Sequence, residues 1–276
     1  MAAIVDILEL EQLERNMFRG SVHPTELVRT YGGQVAGQAL VSAVRTVDDG
    51  YSVHSLHGYF LRPGNPTIPT VYLVDRIRDG RSFVTRRVTG VQNGEAIFTM
   101  AASFHIDGDE GIEHQDQMPK VPSAADLEAD AQIAETVAER ELTREWGSWD
   151  LRIVPAEQAA KVDGLAAQQR VWIRYRDRLP DVPILHICAL AYLSDMTLIG
   201  SARVPHPGVV TQNASLDHAM WFMRPFRADE WLLYDQSSPS AGFGRALTQG
   251  RMFDTDGNMV AAVVQEGLQR IMKTAP

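Results

Sequence analysis

The chain has 276 residues, 45% of them apolar and 22% charged, as in ordinary globular proteins, and its 21 Gly and 14 Pro are too few for a fibrous or disordered polymer. At this length about three-quarters of the unfolded chain's surface can be buried, which leaves room for one large domain or two ordinary ones. A formal charge of −9 argues against a nucleic-acid or anionic-membrane binder, both of which need a basic surface, and the one cysteine, Cys188, excludes an intrachain disulfide and any two-cysteine metal site.

The first twenty residues carry Asp6, Glu9 and Glu11 within their apolar stretch, which is not the form of a signal peptide. No apolar run is expected to reach the ~20 residues of a membrane span, and the ending Lys273-Thr274-Ala275-Pro276 is no targeting or lipidation signal. The expectation is a cytoplasmic protein with no membrane and no nucleic-acid partner.

Gly33 to Thr46, rich in small residues, is the first helix candidate. The strand that follows, Val53 to Leu61, ends in Arg62-Pro63. Asn93-Gly94 between apolar runs is a hairpin signal, leading into a strand from Glu95 to Phe104. Residues 106–150 then hold 13 acidic and 3 basic residues and are expected to form a solvated connector, with a surface helix over Ala124 to Glu145. Ile184 to Met196 is apolar nearly all round, as in a helix enclosed by protein. Beyond it, Ser215 to Met223 is a second aromatic strand ending in Arg224-Pro225, and Asp256-Gly257 a second hairpin signal before Val260 to Gln265. From Arg62 to Gly94 is 32 positions and from Arg224 to Gly257 is 33, so the chain repeats itself at an offset of 162 to 163. Each half is expected to wrap one sheet around one helix, the two sheets joining edge to edge.

No G-x-S-x-G elbow, phosphate loop or H-E-x-x-H is present. Gly242-Phe243-Gly244 has no βαβ context and reads as a hairpin turn. His54 and His57, three apart on a strand, point to opposite faces, as do the neighbours Asp217 and His218. Cys188, among apolar residues, reads as a buried inert thiol. A duplicated unit that keeps one working site should show polar residues in one half where the other is apolar. By the offset, Ser215 stands opposite Val53 and Gln265 opposite Ala102. Asp195 is the one carboxylate on the enclosed helix, and the equivalent step back from Val53 lands on Gly33.

The runs YGGQVAGQAL (31–40), HSLHGYFLRPG (54–64), RDGRSF (78–83), SLDHAMWFMRPF (215–226), EWLLYDQSSPSAG (230–242) and VQEGLQR (264–270) resemble the type II acyl-CoA thioesterases. The resemblance implies an α+β double hotdog: an N-terminal repeat over 1–105, the acidic connector over 106–150, and a C-terminal repeat over 151–276 carrying the site. It also implies that Asp195, Ser215 and Gln265 are the catalytic residues, the same three positions that the comparison of the halves selects. They would direct water at a medium- to long-chain acyl-CoA with no covalent intermediate, metal or organic cofactor, in a homo-oligomer, a dimer or a tetramer. Arg174, Arg176 and Arg178 are candidates for the CoA phosphates and equally a solvated charged strand end. Two alternatives stand beside this one, an enoyl-CoA hydratase using Asp217 and His218 and a non-catalytic acyl-CoA-binding module.

Without the connector the other 231 residues hold 23 basic and 22 acidic side chains. The negative charge therefore belongs to the connector and leaves an anionic substrate admissible.

Overall fold

The computed structural model describes residues 2–127 and 146–272. The surface helix expected from Ala124 falls mostly on residues outside this range; within it, Ala124–Asp126 forms one 3-10 turn.

The hydrophobic runs become one antiparallel sheet. β1 (Leu10–Glu14), β2 (Met17–Gly20), β3 (Tyr51–Phe60), β4 (Val71–Asp79), β5 (Phe83–Gln92) and β6 (Glu95–Ile106) form its first half, in the order β1-β2-β4-β5-β6-β3. β7 (Trp149–Ile153), β8 (Gln168–Tyr175), β9 (Thr211–Ser215), β10 (Asp217–Phe222), β11 (Leu232–Gly242), β12 (Arg245–Phe253) and β13 (Met259–Ile271) form the second. There the order is β10-β13-β12-β11-β8-β7, with β9 also on β13. The halves meet where β3 pairs with β10, so neither presents an open edge at the join. Within that ladder His57 lies opposite Ala219, its own equivalent 162 residues on, so a local two-fold passes through this pair. This is the double hotdog architecture.

The repeat extends to single contacts. Arg62 donates to the Ala96 carbonyl at 2.7 Å and Arg224 to the Met259 carbonyl at 3.0 Å, one duplicated clamp. Asn93 and Gly94 turn the β5–β6 hairpin with φ of 50° and 80°, the left-handed pair such a two-residue turn requires, and at the equivalent place Gly257, also left-handed at 86°, lies in the turn from β12 to β13. The β3 ladder slips at His54, between Val53 and Ser55; 162 residues later, at Leu216, the equivalent strand breaks into β9 and β10.

α1 (Ile4–Leu8), α2 (Gly32–Val44) and α3 (Pro183–Leu193) lie in the concavity of the sheet. α2 packs on β4, β5 and β6 as expected. The second half departs from the expected pattern. α3 packs chiefly on α2 and α1, and the element lying on β11, β12 and β13 is the 3-10 helix Leu198–Arg203 that follows it. The offset of 162 maps α2 onto 194–206, so this short helix, not α3, occupies the place of α2. Close approach explains part of the difference: a Cβ on Gly267 of β13 would overlap the side chain of Ile199, so that turn sits almost on the strand.

Contrary to the sequence expectation, the stretch 183–203 is long and apolar enough to cross a membrane, with a mean hydropathy of 1.4. It lies for the most part inside the molecule, where an all-round apolar helix finds protein on every side. The described part of the connector is fastened to the second half. Asp116 pairs with Arg251, the Trp172 indole donates to the Pro122 carbonyl, and Met118, Val121 and Ala124 join a small core with Trp172, Leu233 and Phe253.

Candidate active site

α2 begins without a side-chain cap: Tyr31 precedes it and contributes none. The first N–H groups of a helix lack partners within it and favour a negative charge. Here the Gly33 N–H donates to the Asp195 carboxylate, brought there by the turn that ends α3. The approach depends on both glycines. A Cβ on Gly32 would lie 2.6 Å from Asp195 Oδ2, and one on Gly33 would overlap the Tyr192 carbonyl. The local two-fold thus sets Gly33 of the first half against its own repeat equivalent in the second.

Two strands complete the cluster. Ser215 closes β9 and lies across from Gly267 of β13, and the two-residue period puts Gln265 on the same inner face as Gly267. The Ser215 hydroxyl donates to Asp195 Oδ1 at 2.9 Å and Gln265 Nε2 to the same oxygen at 2.6 Å. A carboxylate only accepts, so the Gln265 amide turns its nitrogen to Asp195; this leaves Oε1 buried with no partner among the described residues.

Burial pushes the Asp195 carboxyl up to about 6, against the opposing pull of Gln265, Ser215 and the Gly33 N–H. At neutral pH it is an ionised base of useful strength. Two tyrosines brace the turn. Tyr31 donates to the Tyr192 carbonyl at 2.9 Å and Tyr234 to the Ser194 carbonyl at 3.0 Å. Burial, with the charge of Asp195 as a lesser cause, raises both phenols well above their ordinary range, so they remain donors.

Asp195, Ser215 and Gln265 therefore come together. Asp217 and His218 do not. Asp217 accepts from the Glu266 backbone N–H at 2.6 Å, whereas His218 is buried with Nε2 2.7 Å from the Ser194 hydroxyl, its pKa lowered to about 4 by burial. His54 meets Ser103, and His57 packs edge-on against Trp221. Arg174 and Arg176 both pair with Asp150, and Arg178 with Asp229 and Glu230, which makes them part of a strand-end ion-pair network. Cys188 is buried, and burial pushes its thiol up to about 12, leaving it inert. Among the described residues no group of three His, Cys, Asp or Glu is placed to hold a metal.

The sequence pointed to Gly33 only as the counterpart of Asp195, and two equivalent positions need not touch. Tyr31 and Tyr234, which hold the turn, gave no signal, because hydrogen bonds to main-chain atoms leave no pattern of residue types; His218 stood out only as half of the hydratase pair, not as the partner of Ser194.

Residues 141–268 match the family model described as acyl-CoA thioesterase, and residues 21–105 that of the acyl-CoA thioesterase N-terminal domain. A hot dog fold protein of Alicyclobacillus acidocaldarius superposes with a TM-score of 0.77 at 20% identity, covering 100% of this chain and 99% of its own, a likeness of fold alone. The acyl-CoA thioesterase II TesB2 of Mycobacterium marinum superposes with a TM-score of 0.89 at 60% identity, over 98% of this chain and 99% of its own. Acyl-coenzyme A thioesterase 8 of Mus musculus is 38% identical over 97% of this chain and 89% of its own. These likenesses define a thioester hydrolase on a double hotdog. The chain belongs to the acyl-CoA thioesterase family, and its reaction is acyl-CoA hydrolysis.

Proposed function

We propose that the chain hydrolyses medium- to long-chain acyl-CoA to fatty acid and CoA through Asp195, Gln265 and Ser215, with no acyl-enzyme. The convergence of Ser215 and Gln265 on one oxygen of a buried carboxylate carries this reading. Two acceptors face the site, the second oxygen of Asp195 and Gln265 Oε1. A water donating one proton to each presents its lone pair to the thioester carbon, which is orientation together with general-base catalysis. As water attacks, its proton passes to Asp195, and collapse of the tetrahedral adduct expels the CoA thiolate. Ser215 fixes the carboxylate and does not attack, since its own proton is engaged by Asp195 and no histidine among the described residues is hydrogen-bonded to it as a base.

The same reading divides the chain into repeats over 1–105 and 151–276 with the connector 106–150 between them. The second repeat supplies the three side chains and the first the Gly32–Gly33 turn. It also makes the protein cytoplasmic, for which the single buried cysteine speaks, and, as the family resemblance implies, a homo-oligomer. The hydratase alternative is disfavoured because Asp217 and His218 have separate partners.

A panel of acyl-CoA chain lengths, assayed for free CoA with wild type and Asp195→Asn, tests the proposal. Wild-type turnover from about C8 upward and a rate lowered roughly a hundred- to ten-thousandfold in the variant are expected. An unchanged rate in Asp195→Asn removes the site assignment, and an acyl-enzyme trapped in a quenched single turnover removes the direct attack by water.

A further inference from the structure

One more buried position differs between the halves in the manner of Ser215 and Gln265. At the offset of 162, His218 of β10 stands where the first half has Leu56 of β3, and both residues lie inside the molecule. Its hydrogen-bond partner Ser194 stands where the first half has Gly32.

Stability does not account for the histidine. The residue is 1% exposed, its Nδ1 has no hydrogen-bond partner among the described residues, and burial holds the ring uncharged. A buried polar ring with one atom unpaired is unfavourable, and Leu56 shows that the same place in the repeat can be filled without one.

What the ring holds is the residue before Asp195. Ser194 Oγ lies 2.7 Å from His218 Nε2, 3.0 Å from the Ala191 carbonyl oxygen and 3.2 Å from the Met220 sulfur. The carbonyl and the sulfur only accept, and the hydroxyl has a single proton. With that proton on the Ala191 oxygen, the imidazole donates through its Nε2–H and the bare Nδ1 is the unpaired atom. The other tautomer would bury an unpaired N–H, the less tolerated of the two. His218 thus holds the side chain of Ser194 while Tyr234 donates to its carbonyl at 3.0 Å. Restrained at both, Ser194 fixes the peptide that carries Asp195.

We propose that His218 is a positioning residue of the hydrolysis, holding Ser194 so that the Asp195 carboxylate meets the attacking water in the productive orientation. The inference rests on the assignment of Asp195 as the base.

Its test compares wild type with His218→Leu, the residue type of the first half, and His218→Gln, whose amide nitrogen can reach the place of Nε2. Each is assayed in steady-state hydrolysis of octanoyl-CoA and in urea unfolding at pH 7. A merely structural histidine would lose stability and activity together, whereas a positioning one separates them. In His218→Leu, kcat should fall about ten- to a hundredfold, the scale of a misplaced catalytic group, with KM within about twofold of wild type. The unfolding midpoint should be no lower, since leucine and histidine are of similar volume and the buried polar ring is gone. His218→Gln should recover most of the lost kcat. An unmoved kcat in His218→Leu, a lowered midpoint, or no recovery with glutamine overturns the proposal. Asp195→Asn keeps the two readings apart. Its turnover should fall, and His218→Leu added to it should cause no further loss, since the two act through one group. A further loss of comparable size in the double variant defeats the positioning role alone; full turnover in Asp195→Asn itself defeats the base on which that role depends.

Discussion

Asp195 holds its proton more tightly than a surface aspartate does because its charge is buried between two helices and a sheet, and three donors recover only part of the lost hydration. With Asp195 as the proposed base, its pKa of about 6 sets the sign of the pH dependence: kcat/KM should rise as pH increases through about 6 and level off above it, as the carboxyl becomes ionised. A pH–rate profile from 4.5 to 8.5 measures this. The same shift makes Asp195 a cost to the fold. A carboxyl whose folded pKa is raised from 3.8 contributes stability that is full below about pH 4 and is lost as pH rises through about 6. Asp195→Asn should therefore be more stable than wild type at pH 8, by about 1–3 kcal/mol, and show no such gain at pH 3.5. Urea unfolding at the two pH values checks both the sign and the difference. These three side chains were legible in the sequence because duplication supplies an internal reference: a serine and a glutamine stand where the other half has valine and alanine. The shifted pKa was not, since it follows from packing density around one carboxylate.

At the scale of elements, the junction of α2 and α3 decides whether the site exists. Gly33 and Gly37, one turn apart on α2, lie against the carbonyls of Tyr192 and Cys188, one turn apart on α3. A Cβ at Gly37 would sit 3.2 Å from the Cys188 oxygen, tight but tolerable; a Cβ at Gly33 would overlap the Tyr192 carbonyl, and main chain cannot swing aside as a flexible side chain does. Gly33→Ala should thus force the helices apart, costing about 2–3 kcal/mol and displacing the N–H that faces Asp195. Thermal unfolding would show the loss of stability and steady-state kinetics a fall in kcat; Gly37→Ala serves as the milder control. Helices and hairpins were readable from composition and turn residues. That α3 packs on α2 while the 3-10 helix Leu198–Arg203 takes the place on the second half's strands was not, because apolar periodicity shows that a helix is buried without showing against what. The connector is solvated over 107–117, as its charges implied, and Met118, Val121 and Ala124 then anchor it to Trp172 and Phe253, a contact that charge alone does not reveal.

For the whole molecule, the question is whether two copies of one unit behave as two domains. The β3–β10 ladder continues the sheet through the local two-fold, α2 and α3 pack across the same boundary, and the site takes main chain from one half and side chains from the other. Either half unfolding alone would open a long strand edge and expose the helix–helix contact, so both should be lost in one cooperative step despite the length of the chain. The distribution of tryptophan makes this measurable without labels. All five tryptophans, at 146, 149, 172, 221 and 231, lie outside the first repeat, whereas far-ultraviolet circular dichroism reports on both repeats. Urea curves from tryptophan fluorescence and from circular dichroism should coincide. Phe104→Ala, in the core of the first half, should move the fluorescence midpoint as far as the dichroism midpoint, with a loss of about 3–5 kcal/mol. A fluorescence transition left in place by that substitution would show two independently stable hotdogs, and the continuous sheet would then be a contact between domains and not the spine of one.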